Sequence, residues 1–245
     1  SRSTVILIDN SYSMGYVEEG ESRFSLARKV TRRILKMAKR TDRTALFLIS
    51  DEMKPLIPYL TDDRQIPLEK LEAASLSFRT TNLVPGISEA YKILEASRSP
   101  NREIILVTDL GDNGWQGFDE KIIKAFDSKV KFIIVDLGKG LVPNAAVSKV
   151  DCRQMSVGEN SEISARIRNY HKENIPRVSV SVFLEPHSKF QIGRESKEKV
   201  GQGFVDLKGG TEADKDFFYN FPQQGTYLGK VEIQEDSLPS DDRLY

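Results

Sequence analysis

The chain has 245 residues, of which 39% are hydrophobic and 29% are charged, a composition typical of globular domains. Lysine and arginine total 36, as do aspartate and glutamate, so no net charge favours binding to nucleic acid or to an anionic membrane. The single cysteine excludes an internal disulfide framework, and no apolar run approaches the roughly 20 residues that span a bilayer.

The first part of the chain alternates strand and helix patterns. Four continuous apolar runs predict strands buried on both faces, at Val5–Ile8, Ala45–Ile49, Ile104–Val107 and Phe132–Val135. Apolar residues at three- and four-residue steps predict helices between them, at Arg23–Arg40, Val84–Ala96 and Lys121–Phe126. This alternation predicts an α/β domain over residues 1–143, with a doubly wound, mostly parallel sheet. Ile57–Tyr59 is predicted to add an antiparallel edge strand.

The pattern changes near Val147, where period-two stretches replace the helical ones. They lie at Ser161–Asn169, Val178–Leu184, Phe217–Phe221 and Tyr227–Ile233. Short strands separated by Gly- and Asn-containing turns predict an antiparallel β-sandwich over residues 144–245. The boundary is placed within Gly140–Ala146, where Gly, Pro and Asn interrupt the pattern.

Polar residues lie in three segments of the first domain that are predicted to be strand-to-helix loops. Asp9-Asn10-Ser11-Tyr12-Ser13 follows the first strand, Thr80-Thr81-Asn82 precedes the helix at Val84, and Thr108-Asp109 follows the third strand. Ligand sites of such sheets lie beyond the carboxyl ends of the strands, so these segments are expected at one edge. Their oxygens are suited to a hard cation such as Mg²⁺, which keeps several waters and needs few protein ligands.

The pattern D-x-S-x-S, followed by a Thr-Asn pair and by Thr-Asp-Leu-Gly-Asp, resembles the von Willebrand factor A family and its metal-ion-dependent adhesion site. The resemblance implies that Ser11, Ser13 and Thr81 hold a Mg²⁺-type ion, with Mn²⁺ or Ca²⁺ as alternatives. It places Asp9 and Asp109 close to the ion, often acting through water. A protein partner presenting Asp or Glu would complete the octahedron.

Four residues near these loops are predicted to form a rim for that partner: Tyr12, Tyr16, Asp112 and Trp115. Packing of Trp115 over the sheet edge is the alternative, and the same pair of interpretations applies to both tyrosines. Thr80 is an alternative to Thr81 as the ligand.

A narrower resemblance involves Asp9–Met14 together with a β-rich second half that ends in the motif Asp236–Arg243. Both resemble large, membrane-anchored bacterial proteins related to those of the aerotolerance operon, whose second module resembles a cell-adhesion-related β-sandwich. The resemblance implies an extracytoplasmic domain of a membrane-associated parent, of which this sequence is expected to be a piece. A cytoplasmic location and the oligomeric state stay open.

Two other functions are alternatives to metal-dependent binding. A metal-dependent phosphohydrolase would use Asp9 as nucleophile, but Ser11 stands where the general acid is needed, and Asp112 is the only spare carboxylate nearby. Nucleotide-binding glycine motifs are absent. The chain is therefore predicted not to be an enzyme. The second alternative is a structural assembly domain that docks without metal inside a membrane-anchored complex.

Overall fold

The structure is a computed structural model that describes residues 1–117, 129–138, 142–153, 158–186 and 198–245. The chain divides into two compact units, Ser1–Gly140 and Leu141–Tyr245. No helix in the described part of the chain is both long enough and apolar enough to cross a membrane.

The first unit is an α/β layer structure built on a five-stranded sheet. Its strands and helices in chain order are β1 (Arg2–Asp9), β2 (Val17–Glu18), β3 (Glu21–Ser22), α1 (Arg23–Met37), β4 (Arg43–Ile49), β5 (Met53–Thr61), α2 (Gln65–Glu72), α3 (Val84–Glu95), β6 (Asn101–Thr108) and β7 (Val130–Asp136). The sheet order is β5-β4-β1-β6-β7, with β1, β4, β6 and β7 parallel and β5 antiparallel at the edge. The predicted doubly wound, mostly parallel sheet is confirmed, together with its antiparallel edge strand.

Both faces of the three central strands, β4, β1 and β6, are buried, whereas the edge strands β5 and β7 are partly exposed. Alternate residues of β1 point to opposite sides, so Ile6 and Ile8 join a core that includes the buried residues of α1, whereas Val5 and Leu7 join a core that includes those of α3. The continuous apolar run that predicted β1 reflects this double burial.

Helix α1 ends at Met37, three residues before the predicted end at Arg40. It begins after Ser22, whose side chain accepts a hydrogen bond from the Ser25 amide. Met37 is 72% exposed, and two residues after it the Lys39 amide donates to Asp42 Oδ2 instead of continuing the helix. The short helix α2 was not predicted from the sequence, and the predicted helix at Lys121–Phe126 lies outside the described residues.

The second unit is a sandwich of two antiparallel sheets. Its strands are β8 (Ala145–Arg153), β9 (Asn160–Asn169), β10 (Ile175–Pro186), β11 (Glu198–Leu207), β12 (Glu212–Asn220), β13 (Tyr227–Ile233) and β14 (Arg243–Leu244). One sheet has the order β11-β10-β13-β14 and the other the order β12-β9-β8. Inward-facing residues of both sheets form one core, to which β9 contributes Ile163, Ala165 and Ile167. The predicted β-sandwich is confirmed.

Candidate functional site

The candidate site lies at the carboxyl end of β1, in the middle of the first unit's sheet. Strands β4 and β6 flank β1; the chain passes from β1 through α1 to β4 and later from α3 to β6. The direction of winding therefore reverses at β1, and ligands of open α/β sheets bind at such a position. The segments after β1, before α3 and after β6 meet here, and they carry the residues predicted from the sequence.

Backbone hydrogen bonds hold these three segments together. The Tyr12 amide donates to the Arg79 carbonyl over 2.8 Å, and the Leu83 amide donates to the Gly114 carbonyl over 2.9 Å. Gly114 lies so close that an added Cβ would stand 3.0 Å from Cγ2 of Thr81. The loop after β6 therefore fixes the position of Thr81 by direct packing.

Three hydroxyl oxygens converge at the sheet edge. The Thr81 hydroxyl donates to Ser11 Oγ over 2.7 Å, and the Oγ atoms of Ser11 and Ser13 are 3.4 Å apart. Ser11 and Thr81 are buried, whereas Ser13 is half-buried and marks the open side. Thr80 is exposed, so the structure brings Thr81 rather than Thr80 to Ser11.

Asp9 lies beneath these hydroxyls and is fully buried. Its Oδ1 accepts a hydrogen bond from the Ser11 amide over 2.9 Å, and its Oδ2 accepts one from the Thr108 hydroxyl over 2.7 Å. Burial raises the pKa of Asp9 to about 6; the hydrogen bonds from Ser11 and Thr108 oppose the rise, and the charge of Asp109 adds to it. Both carboxylate oxygens are thus engaged, and Asp9 acts on the hydroxyl cluster through Ser11.

Asp109 faces a cation that the sequence did not reveal. Its Oδ2 accepts a hydrogen bond from Arg23 Nη1 over 3.1 Å, and both side chains are over nine-tenths buried. The same guanidinium donates through Nε and Nη2 to Glu18 and lies over the Tyr16 ring, 4.7 Å from its centroid. Arg23 begins α1, where the helix dipole disfavours a cation; this unfavourable placement is the one sequence signal that could have pointed to a partner.

An open pocket of about 390 Å³ adjoins the hydroxyl cluster. Its lining residues come from the loops after β1 and before α3: Tyr12, Ser13, Phe78, Arg79, Thr80 and Thr81. Phe78 is 81% exposed, and its ring centroid is 6.4 Å from that of Tyr12. Phe78 was not predicted as a rim residue, because a lone aromatic residue in a loop carries no periodic signal.

The other predicted rim residues have different surroundings. Trp115 is partly buried and packs against the core on the α3 side of the sheet. Tyr16 packs beside the Arg23 guanidinium. Asp112 begins a short 3-10 helix, Asp112–Trp115, but its side chain lies outside what the structure describes. Of the three predicted residues whose side chains the structure describes, only Tyr12 lines the pocket.

The sequence of residues 4–113 matches the family model of the von Willebrand factor type A domain. The order of strands and helices agrees with that match. The first unit contains a von Willebrand factor type A domain. A comparison with curated proteins gave no match.

Among solved structures, the chain is similar to an aerotolerance-related membrane protein from Bacteroides fragilis, with 18% identity and a TM-score of 0.49 over 63% of this chain and 77% of that one. It is similar to the von Willebrand domain of the type V pili tip protein Mfa5 from Porphyromonas gingivalis, with 25% identity and a TM-score of 0.37. That match covers 44% of this chain and only 37% of the Mfa5 chain. A CARDB domain from Pyrococcus furiosus, solved in complex with di-metal ions, has 15% identity and a TM-score of 0.34 over 42% of this chain and 83% of that one.

Proposed function

We propose that the von Willebrand A domain binds a protein partner through a divalent cation held at the carboxyl end of β1. Domains of this family typically mediate protein–protein interaction. In the proposal, Ser11, Ser13 and Thr81 ligate a Mg²⁺-type ion, with Asp9 and Asp109 close by. An Asp or Glu carboxylate of the partner completes the coordination.

The observation that carries the proposal is the spacing of the hydroxyl oxygens. Adjacent ligands of an octahedral Mg²⁺, bound at 2.0–2.1 Å, lie about 2.9 Å apart. The distances from Ser11 Oγ to Thr81 Oγ1 and to Ser13 Oγ, 2.7 and 3.4 Å, bracket that value. These oxygens come from two separate loops, and their closeness fits a shared ion. The residues present therefore fit the cation that the family resemblance implies.

The chemistry of the ligands favours an ion that binds a partner over an ion that the protein coordinates completely. Three neutral hydroxyls leave the charge of the cation uncompensated by direct ligands, so an external carboxylate gains from binding at a vacant position. Ser13 faces the open pocket beside Tyr12 and the exposed Phe78. These aromatic side chains are suited to bury against the partner around its carboxylate.

Catalysis is the weaker function for this site. Adhesion-type von Willebrand A domains are generally non-enzymatic. Asp9 is fully buried and both of its oxygens accept hydrogen bonds, an arrangement that favours a positioning role over nucleophilic attack. A phosphohydrolase would show metal-dependent turnover of a generic phosphoester that Asp9→Asn abolishes.

Cation binding is tested by calorimetry with MgCl₂ and MnCl₂ on the whole chain. Ser11→Ala, Thr81→Ala and Asp109→Ala are each expected to abolish binding at this site while circular dichroism stays unchanged. Thr80→Ala is the matched control, because Thr80 neighbours Thr81 but is exposed. Unchanged affinity in both Ser11→Ala and Asp109→Ala would overturn the proposed site.

Metal-independent docking inside a larger assembly is the alternative binding function. A partner retained equally in Mg²⁺ and in chelator would favour it over the cation-mediated mode. For the parent protein we propose an extracytoplasmic position in a bacterial membrane-associated protein, on the resemblance of the Asp9–Met14 motif and the second module to that group. Protease accessibility of the full-length protein in intact cells tests this.

A further inference from the structure

The loop between β13 and β14 brings three carboxylates of the second unit together. One oxygen from each of Asp236, Asp241 and Asp242 lies within 4.8 Å of the others. No Lys, Arg or His of the described residues forms an ion pair with any of them. Three close carboxylates with no counter-charge destabilise the fold unless something neutralises them.

A fourth side chain reaches the cluster from the segment that precedes β8. Asn144 is 4% exposed, and its Nδ2 donates to Asp241 Oδ2 over 3.1 Å. Its Oδ1 is buried on the same amide group and has no hydrogen-bond partner among the described residues. The oxygen and nitrogen of an amide exchange places by a flip of the side chain, which would turn this acceptor toward Asp241. Asn144 therefore offers the cluster an uncharged oxygen that has no other partner.

Two carboxylate oxygens of the cluster are also buried and unpaired among the described residues. Oδ1 of Asp241 and Oδ1 of Asp242 are buried and have no hydrogen-bond partner in the part of the chain that the structure describes, and Asp242 as a whole is 2% exposed. Buried polar atoms in native proteins are normally paired, because leaving one unpaired costs about 1–3 kcal/mol and more for a charged group. Burial, together with the charges of the neighbouring carboxylates, raises the pKa of Asp241 to about 6 and of Asp242 to about 7.

The remaining oxygens of these residues hold the loop in place. Asp236 Oδ2 accepts a hydrogen bond from the Ala145 amide over 2.7 Å, and Asp236 Oδ1 accepts one from the Leu238 amide over 2.7 Å. The Val147 amide donates to the Asp241 carbonyl over 3.2 Å. The backbone therefore orients the carboxylates even though their charges repel each other.

We infer that Asp236, Asp241, Asp242 and Asn144 form a second cation site, which takes a hard divalent ion of the Ca²⁺ type and fastens the β13–β14 loop to the start of β8. All the ligand atoms are oxygens, which Ca²⁺ and Mg²⁺ prefer. Ca²⁺ binds oxygens at 2.3–2.6 Å, so its shell is about 5 Å across, whereas a Mg²⁺ shell is about 4 Å across. The cluster oxygens all lie within 4.8 Å of one another, so they fit inside a shell of the Ca²⁺ size.

One member of the cluster borders an open pocket. Asp242 lines an open pocket of about 600 Å³ together with residues of β10, β11 and β13. A cation that enters from this pocket meets a site with three negative charges, which compensate the ion without help from another protein. The site is thus suited to stabilise the unit rather than to recruit a partner.

The test uses the whole chain carrying Ser11→Ala, which removes the first site from the measurement. After chelation and dialysis, calorimetry with CaCl₂ is expected to show one bound ion per chain. Asp241→Asn and Asp242→Asn, each added to Ser11→Ala, are expected to weaken binding at least tenfold. Asp216→Asn, an exposed aspartate of β12, is the matched control and is expected to change the affinity less than twofold.

Amide hydrogen exchange provides a second readout that does not need the variants to fold. In the Ser11→Ala chain, Ca²⁺ is expected to slow exchange at Ala145 and Leu238, whose amides donate to Asp236. Absence of Ca²⁺ binding to the Ser11→Ala chain would overturn the inference, as would equal loss in Asp216→Asn and Asp242→Asn. A rise in stability on Asp242→Asn with no effect of Ca²⁺ on the parent chain would show a protonated acid cluster instead. Failure of the first site leaves all these outcomes unchanged.

Discussion

The two units bring buried oxygen atoms together with different chemistry. In the von Willebrand A domain the converging atoms are the hydroxyls of Ser11, Ser13 and Thr81, and each nearby carboxylate has a donor or a cation as its partner. In the second unit the converging atoms are carboxylates, and the described residues supply no cation to balance them. A neutral ligand set leaves the charge of a bound ion available to an outside carboxylate, whereas an anionic set neutralises the ion itself. The same class of ion would then serve recognition in one unit and stability in the other.

The largest effect on stability is expected at Arg23, the cation that balances the carboxylates beside the first site. Arg23→Met leaves Asp109 and Glu18 without their shared cation, and removing one partner of a buried ion pair costs about 3 kcal/mol or more. We expect a loss of that order in the free energy of unfolding of the first unit. Urea titration followed by fluorescence measures it selectively, because Trp115 is the only tryptophan in the chain. Arg33→Met, an exposed position on the same helix, is the control and is expected to change little.

The response of Arg23→Met to Mg²⁺ tests the first site. A bound cation would replace the guanidinium as the counter-charge of Asp109, so Mg²⁺ is expected to raise the melting temperature more in Arg23→Met than in the unmodified chain. An equal or smaller rise would mean that Asp109 does not share its environment with the ion. In that case the first site would not hold a cation whose charge is available to a partner, and the contrast with the carboxylate site of the second unit would not hold.

A smaller effect is expected at Thr108, whose hydroxyl donates to the buried Asp9. Thr108→Val keeps the shape and removes the donor, which leaves a buried carboxylate oxygen unpaired at a cost of about 1–3 kcal/mol. Thr31→Val in α1 is the matched control, because Thr31 is equally buried and its hydroxyl has no partner among the described residues. That control is expected to be neutral or stabilising. Equal losses in both variants would show that the hydroxyl of Thr108 contributes through packing alone.

The sequence predicted one of these two sites far better than the other. Ser11 and Asp109 were expected at one edge because each follows a strand of the parallel sheet. Thr81 was expected there on a strand-to-helix loop, but it lies between α2 and α3, so only the family resemblance implied its contact with Ser11. Arg23 was missed because its partner Asp109 is 86 positions away and no periodicity links them. Helix α2 was missed for a related reason: its eight residues include Pro67 and too few apolar positions to show a period.

The carboxylate cluster of the second unit was also missed, because the contacts that form it join residues far apart in the chain. The motif Asp236–Arg243 was noticed only as a resemblance, with no chemistry attached to it. Its closeness to Asn144 depends on how the sandwich brings β8 of one sheet near β14 of the other, and Asn144 and Asp241 are 97 positions apart. Alternation along a strand predicts which side chains face the core, but it does not predict which strand ends meet.

The smallest expected effect is the acid sensitivity of a carboxylate of the first unit that does have a cationic partner. Burial of Asp42 raises its pKa, but hydrogen bonds from the Lys39 and Arg2 amides and the charge of Arg2 outweigh burial, and the pKa is lowered overall. The folded state therefore favours the ionised form. This contribution to stability is fully present above the unfolded-state value of about 3.9 and is lost as the pH falls through the lower, folded-state pKa.

We therefore expect the unmodified chain to exceed Asp42→Asn in stability at pH 6 by a modest margin that shrinks below pH 4. Urea titrations at pH 6, 4 and 3, followed by Trp115 fluorescence, measure that margin. Asp62→Asn is the control, because Asp62 is exposed, and it should show no such pH dependence. A margin that stayed constant from pH 6 to pH 3 would mean that Asp42 acts through its hydrogen-bond geometry alone. The carboxylates of the first unit and those of the second would then differ in their hydrogen-bond geometry, and not in whether a cation balances their charge.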